Sequence, residues 1–344
     1  MVALFSATQN SDYDSLKKQI QWTIVSIPVM ILLIVIDYNS IVKISPFLYG
    51  IGLIALVGVL FTEKINGASS WFQLGSFSVQ PGEFAKIFSV MLFAYVITIF
   101  QKRGREQINK FWKLLLSIFI MAVPVGLIIL QPDYGTACAF IFATAFVLFI
   151  AGIKARYIIA CILIIVISVP LLYIYVLPAH AKQRIDIFLN PESDARGAGY
   201  NIIQSKLAIG AGQLWGMGLL KGNQTQLGYL YPKTTDFIFS VIGEELGFIV
   251  SSSIIILYVI IITKAIYIAK TAKDDLGSYI AMGIAGIFSF HMIENIGMTM
   301  GLLPITGIPL PFVSYGGSSL LTNFACIGLL LGISGRRQKS IFVE

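Results

Sequence analysis

Long apolar runs separated by short polar stretches dominate this chain. The runs lie at about 19–36, 46–62, 84–100, 112–130, 136–153, 156–178, 237–263, 278–298 and 319–334. A helix needs roughly 20 apolar residues to cross about 30 Å of hydrocarbon, and each run is long enough or nearly so. The pattern therefore predicts an all-α, polytopic integral membrane helix bundle with about nine spans, forming a single domain over residues 1–344.

Composition agrees with this pattern. The 344 residues are 57% hydrophobic and only 12% charged, with a mean hydropathy of +0.84, whereas soluble domains carry about 25% charged residues. The net charge of +7 could suit nucleic acid, but the basic residues lie mostly in short connections between apolar runs. In such connections they determine membrane topology, so we expect membrane lipid around the chain and no nucleic-acid partner.

The basic connections also predict an orientation. Basic residues cluster at 102–113, 154–156, 264–273 and 336–339. Counting spans places all four clusters on one side, which the positive-inside rule makes cytoplasmic. The C-terminus is then cytoplasmic and the N-terminus falls outside. Residues 1–8 resemble the end of a helix, so we expect an N-terminally truncated chain that lacks a first helix.

The longest polar segment, 179–235, is expected on the opposite, extracytoplasmic side. It is too long for a simple connection and is therefore a candidate functional region. It is rich in glycine and contains an apolar patch at 202–209. These features predict short amphipathic or re-entrant pieces at the membrane surface, with the functional face outside.

An acid stands at the end of this segment, where the next apolar run begins. An aspartate at the mouth of a membrane helix is costly unless something uses it, so Asp236 is a candidate reacting centre. The alternative is an acid that only favours the helix N-terminus, with Thr234 or Thr235 as the cap. Glu244 and Glu245, two turns later, are expected to support the helix against its neighbours.

Other polar side chains also interrupt the apolar pattern. Glu83 and Lys86 are one helical turn apart, and Asp133 follows a proline at a break between two runs. Lys86 and Asp133 are candidates for a structural ion pair, and Glu83 for a helix-capping acid.

Two more candidates come from the last third of the chain. His291 and Glu294 are expected to form a packed polar pair. Residues 304–319 contain three prolines and a Gly-Gly pair, which restrict the backbone to a rigid turn. The serines and backbone N–H groups of this turn could hold an anion. These residues alone leave a channel, a transporter and a lipid-handling enzyme open.

Several motifs in order resemble those of the SEDS family (shape, elongation, division and sporulation). They are WFQLG at 71–75, QPGEFAK at 80–86, QPDYGTA at 131–137, FLNP at 188–191, GY at 199–200, QS at 204–205, the Asp236 stretch, and NIGM through SYGGSS at 295–319. The resemblance covers essentially the whole chain. It implies a fold of ten helices with both ends in the cytoplasm.

The resemblance also implies a function. SEDS proteins are peptidoglycan glycosyltransferases that polymerise lipid II into undecaprenyl-linked glycan. They act on the outer face of the bacterial cytoplasmic membrane with a class B penicillin-binding protein. Asp236 matches the essential aspartate of the family, and Lys86 and Asp133 match its paired intramembrane charges. The other residues expected to bind substrate or line the cavity are Glu83, Gln80, Arg184, Gln204, Ser205 and Ser314.

The reaction suits these residue types. A sugar 4-hydroxyl must lose its proton while a lipid pyrophosphate departs with inversion, and a carboxylate such as Asp236 can serve as the general base. Arg184, Arg196, Lys86 or a divalent cation (Mg²⁺ or Mn²⁺) could stabilise the departing pyrophosphate. Base and metal ligand therefore remain competing roles for Asp236, and no other cofactor is expected.

Three alternatives to an elongation polymerase remain at this point. The intramembrane charges would also serve a lipid II flippase or transporter, although the paired broken-helix repeats of many transporters are not visible. The chain could be a division or sporulation member of the same family. It could also be a non-catalytic scaffold that recruits a transpeptidase.

Overall fold

The computed structural model describes residues 1–9, 13–63, 68–75, 77–175, 179–194 and 197–337. Helices make up most of the described chain. The α-helices are α1 Val2–Ala7, α2 Asp14–Val35, α3 Tyr38–Lys43, α4 Ser45–Val59, α5 Pro81–Gln101, α6 Phe111–Leu130, α7 Tyr134–Ile150, α8 Ala155–Tyr175, α9 Ala179–Leu189, α10 Ala198–Ala211, α11 Asn223–Gln226, α12 Ile238–Thr271, α13 Asp275–Thr299 and α14 Gly317–Gly335. Short 3₁₀ turns occupy Arg105–Asn109 and Pro191–Asp194.

The predicted fold class is confirmed, because each apolar run overlaps one of these helices. Within the described residues, six helices are long and apolar enough to cross a membrane: α2, α5, α6, α12, α13 and α14. The helices α4 and α7 are apolar but shorter. Prolines lie inside α2 and α6 without ending them, as is common in membrane helices, where neighbouring groups satisfy the freed carbonyls.

A small β-hairpin precedes α5. Strands β1 (Phe72–Leu74) and β2 (Phe77–Val79) pair in antiparallel fashion, with Phe72 opposite Val79. The hairpin was not predicted, because three-residue strands are too short to show the alternation that marks a strand in sequence. It leads directly into the residues that begin α5.

The segment 179–235 contains the short helices α9, α10 and α11, and that such pieces lie at the membrane surface stays a prediction. The end of α10 packs closely on α12: a Cβ added to Gly212 would lie 1.8 Å from the carbonyl oxygen of Gly243. Further along, α12 is interrupted at Gly247, whose φ of 78° is non-helical. A Cβ there would lie 2.3 Å from the amide nitrogen of Gly216. Glycines thus permit the close contact that fixes the start of α12.

The described residues divide into two compact units, each built from three stretches of chain. One unit takes residues 1–16, 153–256 and 292–315, and it contains Asp236. The other takes 17–152, 257–291 and the described residues from 316 onward. In this second unit, Phe93 and Ile97 of α5 and Phe140 of α7 are almost completely buried. That 1–344 forms a single domain stays a prediction.

Candidate active site

Asp236 lies in a turn that ends just before α12. The helix begins at Ile238, and no acid lies in its first turn. Asp236 therefore lies two residues before the first helical residue, and the alternative that it only favours the helix N-terminus stays a prediction.

A pocket of about 130 Å³ lies beside the Asp236 side chain. Its lining is Arg184 and Ile187 from α9, Asn201 from α10, Pro232, Asp236 and Phe237 from the turn before α12, and Ile305. The polar members are a carboxylate, a guanidinium and an amide, and the rest form apolar walls. The pocket therefore combines a few polar groups with an apolar surface, as ligand sites usually do.

The surroundings of Asp236 favour its neutral form. Burial raises the pKa of Asp236 to about 6, while a hydrogen bond from Thr235 and the positive charge of Arg184 act in the opposite direction. The Arg184 guanidinium is held in turn by the carbonyl oxygen of Ile305, with 3.3 Å between Nη1 and that oxygen. A carboxyl with a pKa near neutrality is suited to accept a proton at physiological pH.

The proline-rich turn after α13 holds the backbone next to Asp236. The amide of Tyr315 donates to the carbonyl of Thr234 (2.9 Å), and Ser314 Oγ donates to the carbonyl of Thr235 (2.7 Å). Ser314 is only 4% exposed. Both groups are bound to neighbouring carbonyls in this structure, and the predictions that this turn binds an anion and that Ser314 contacts substrate stay predictions.

Glu244 and Glu245 bind the segment that precedes Asp236 in the chain. Glu244 accepts hydrogen bonds from the amides of Gln224 (2.6 Å) and Thr225 (2.9 Å) and from the Thr225 hydroxyl (2.6 Å). Glu245 accepts from the amide of Leu220 (3.2 Å) and from Gln226 Nε2 (2.7 Å). Both carboxylates are almost completely buried. These contacts suit the predicted supporting role, since charge-assisted bonds to backbone amides are strong.

A second polar cluster lies inside the other unit, around α5. Lys86 Nζ is 3.0 Å from Glu83 Oε1 and 2.8 Å from His291 Nε2, and both Lys86 and Glu83 are nearly fully buried. The Thr322 hydroxyl also donates to Glu83, at 3.2 Å. The expected pair of Lys86 with Asp133 is wrong, because the cation of Lys86 is paired with Glu83. Glu83, which lies in the first turn of α5, therefore also pairs with a buried cation.

Asp133 takes different partners in the same unit. Its Oδ2 accepts from Gln80 Nε2 (2.8 Å), and its Oδ1 caps α7 by accepting from the amide of Thr136 (3.1 Å). The amide of Gln80 donates to Ser318 Oγ at 3.0 Å. Gln80 and Asp133 thus connect the starts of α5, α7 and α14.

The remaining predicted residues have mixed positions. Ser205 is fully buried, and its hydroxyl contacts Ser240 Oγ and the carbonyl of Thr299, each at 2.6 Å; its predicted contact with substrate stays a prediction. Gln204 is half-buried on α10, and its role stays a prediction. Arg196 lies outside the described residues.

His291 and Glu294, which were predicted to form a polar pair, form their hydrogen bonds with different residues. His291 contacts Lys86, whereas Glu294 accepts from the Thr306 hydroxyl at 2.7 Å. Asn201 could not be selected from the sequence, since a neutral amide on a polar segment carries no conspicuous free-energy cost. Only the fold places it beside Asp236.

The residues that the structure describes do not provide a suitable set of ligands for a resident metal ion. No three His, Cys, Asp or Glu side chains come together there. Asp236 is the single carboxylate lining its pocket, and Arg184 shares that pocket with it. One carboxylate beside a cation does not hold a divalent ion by itself, although Mg²⁺ can be bound by one carboxylate together with substrate phosphates.

Comparison with known proteins identifies relatives that carry similar names. A family model described as "Cell cycle protein" and named for FtsW, RodA and SpoVE matches residues 1–339. The probable peptidoglycan glycosyltransferase FtsW of Trichlorobacter lovleyi is 40% identical over 323 residues, which cover 93% of this chain and 83% of that protein. Peptidoglycan glycosyltransferase MrdB of Escherichia coli is 38% identical over 296 residues, covering 86% and 78%. Peptidoglycan glycosyltransferase RodA of Treponema pallidum is 31% identical, covering 93% and 89%.

Solved structures show the same similarity. A chain from a peptidoglycan synthase complex, studied for the coordination of polymerization and crosslinking, aligns with a TM-score of 0.84 and 27% identity. That alignment covers 98% of this chain and 94% of the other. The rod shape determining protein RodA of Thermus thermophilus aligns with a TM-score of 0.71 and 26% identity, covering 98% and 93%.

Proposed function

Because the chain belongs to the SEDS family of cell cycle proteins, which FtsW, RodA and SpoVE represent, we propose that Asp236 is the general base of its reaction. The chain is a multi-pass membrane protein and a peptidoglycan glycosyltransferase that polymerises lipid II. The observation that carries the proposal for Asp236 is its place in a pocket shared with Arg184, with a pKa near 6.

The proposed step forms one glycosidic bond. The 4-hydroxyl oxygen of the acceptor sugar attacks the anomeric carbon of the donor, and its proton passes to the Asp236 carboxylate. The bond from that carbon to the lipid pyrophosphate breaks, and the pyrophosphate leaves with the electron pair. Attack opposite the leaving group inverts the anomeric centre. Arg184 lies in the same pocket, and its fixed charge stabilises the negative charge that develops on the leaving group.

Arg184 is expected to set the pH at which the enzyme gains activity. A base works in its ionised form, so the rate should rise with pH through the pKa of Asp236, which lies at about 6. The charge of Arg184 lowers this pKa. Arg184→Gln should therefore move the rise in rate to higher pH, and it should also lower the plateau because pyrophosphate stabilisation is lost. Initial rates of glycan formation over a pH series test this.

Two variants make that measurement specific. Arg184→Lys keeps a positive charge and should leave the midpoint closer to that of the wild type. Arg156→Gln removes an exposed arginine that contacts Tyr157, and it should leave the profile unchanged. A midpoint that stays in place or falls in Arg184→Gln would contradict the electrostatic role.

A divalent cation, Mg²⁺ or Mn²⁺, is proposed only as a companion of the substrate. The pocket supplies one carboxylate, so such an ion would be held chiefly by pyrophosphate oxygens. The proton transfer to Asp236 is independent of it. If Asp236 instead acts as a metal ligand, binding of Mn²⁺ to the substrate-free protein would depend on Asp236.

The partner and the orientation extend this proposal. Lipid II and a partner synthase belong to the function, and we assign that partner to the class B penicillin-binding proteins. The enzyme is placed in the bacterial cytoplasmic membrane, with its active face extracytoplasmic and its C-terminus cytoplasmic. The basic connections between the apolar runs support this orientation. A flippase is not favoured, since the relatives are named as transferases.

We place the enzyme in cell elongation, because a RodA is among its relatives and its fold aligns with a solved rod shape determining protein RodA. Expressed in rod-shaped cells depleted of their own RodA, the chain should restore rod shape, and a fluorescent fusion should lie along the side wall. Microscopy of both phenotypes checks this, with Asp236→Asn as the inactive control. Rescue of division in FtsW-depleted cells instead, with septal localisation, would assign it to division.

A further inference from the structure

Successive backbone carbonyls before α12 are all bound by one other part of the chain. The carbonyl of Thr234 accepts from the amide of Tyr315 (2.9 Å), and that of Thr235 accepts from Ser314 Oγ (2.7 Å). The carbonyl of Asp236 itself accepts from Asn295 Nδ2 at 3.0 Å. The backbone that carries the carboxylate is therefore fixed at each residue by the end of α13 and the proline-rich turn.

Ser314 connects this turn to the Asp236 segment. Its hydroxyl donates to Thr235 and also accepts from the amide of Leu310, at 2.8 Å. The same oxygen thus closes the turn upon itself and attaches it to the neighbour of Asp236. Removing the hydroxyl would leave a buried amide and a largely enclosed carbonyl without these partners.

Asn295 makes a second connection of the same kind. It is fully buried, and its Nδ2 donates both to the carbonyl of Asp236 and to that of Ile308, at 2.8 Å. Its Oδ1 is buried with no hydrogen-bond partner in the described part of the chain. A buried polar atom without a partner costs free energy. The side chain is therefore held through its donor atom Nδ2, although its buried Oδ1 costs free energy.

The turn also approaches the carboxylate. A Cβ added to Gly307 would lie 3.3 Å from Asp236 Oδ2, and the φ of Gly307 is +75°, a conformation that glycine adopts readily. Ile305, two residues earlier, lines the pocket. The turn therefore sets both the backbone of Asp236 and the surroundings of its reacting oxygen atoms.

We propose that Ser314 and Asn295 are positioning residues for glycosyl transfer and act through Asp236. This inference rests on the proposed role of Asp236 as the base. Both side chains lie outside the pocket lining and bind the chain on either side of the reacting carboxylate. A displacement of about 1 Å at a reacting group can lower a rate about 10²-fold, so hydrogen bonds that hold this backbone determine turnover more than substrate affinity.

The experiment measures kcat and KM for lipid II with the full chain and its partner synthase. Ser314→Ala and Asn295→Ala should each lower kcat by about 10- to 100-fold and leave KM unchanged, as expected when only the transition state is affected. The matched control is Ser251→Ala, which also removes a buried hydroxyl bond to a carbonyl, that of Gly247 at 3.0 Å. It should retain the kcat of the wild type.

The same substitutions in the Asp236→Asn background separate positioning from a general loss of structure. If Ser314 and Asn295 act through Asp236, neither should lower the residual rate of that variant further. An equal fractional loss in both backgrounds, or a raised KM with kcat retained, would overturn the inference. If Asp236→Asn itself keeps the wild-type rate, the proposed base is wrong. If it loses activity without coupling, only the positioning role is wrong.

Discussion

Asp236→Asn should polymerise lipid II about 10²- to 10⁴-fold more slowly than the wild-type protein, the usual contribution of a positioned general base. Asparagine has nearly the same size as aspartate but cannot accept the hydroxyl proton. The main-chain oxygen that Asn295 binds is retained, so the pocket should keep its shape. The initial rate at which glycan strands form, with the strands resolved by length, measures the effect.

Controls distinguish this loss from misfolding. Asp186→Asn alters another carboxylate of the same unit, one that accepts from the Tyr173 hydroxyl at 2.6 Å outside the pocket lining, and it should remain active. Because burial raises the pKa of Asp236 to about 6, its ionised form destabilises the folded state increasingly as pH rises through that value. Asp236→Asn should therefore melt at the same or a higher temperature at neutral pH. A lower melting temperature would point to misfolding.

Lys86→Met should lower the free energy of unfolding by about 3–5 kcal/mol, the cost of leaving one member of a buried ion pair without its partner. The substitution removes the cation that lies 3.0 Å from Glu83 and 2.8 Å from His291. The double variant Glu83→Gln with Lys86→Met also removes the orphaned charge and should regain much of the loss. Unfolding in detergent or bicelles, followed by denaturant or heat, measures all three proteins.

An exposed ion pair provides the matched comparison. Arg105 and Asp275 are 2.7 Å apart, but their side chains are 70% and 40% exposed. Arg105→Met should cost only about 0–1 kcal/mol, since solvent screens such pairs. If Lys86→Met were as mild as Arg105→Met, the buried pair would not stabilise its unit as described.

The membrane helices could be predicted from sequence because the thickness of the hydrocarbon imposes a length on every apolar run. The partner of Lys86 could be predicted only in part. Glu83, one turn away on the same helix, was visible as a neighbour. His291 lies 205 residues after Lys86 in the chain, and Asp133 is bound by Gln80 instead. Both contacts depend on tertiary packing, which local spacing does not encode.

The site around Asp236 could likewise be predicted from the sequence only in part. The acid was conspicuous because a charge beside an apolar run is costly, and Arg184 was a candidate as the cation for a pyrophosphate. Asn201 carries no charge, so its place in the pocket required the fold. The bonds of Ser314 to the backbone of Leu310 and Thr235 could not be predicted, because sequence does not show which groups of a turn are bound to backbone.

The pH dependence of single-turnover lipid II polymerisation, measured between about pH 5 and 8 for the wild-type protein and Asp236→Asn, tests the role of Asp236 most directly. The wild-type rate should rise through a midpoint near 6, set by the carboxyl of Asp236, and then level off. The variant should be slow throughout and should lack this midpoint. A variant that keeps the wild-type rate, or that shows the same midpoint, would contradict the assignment of Asp236 as the base.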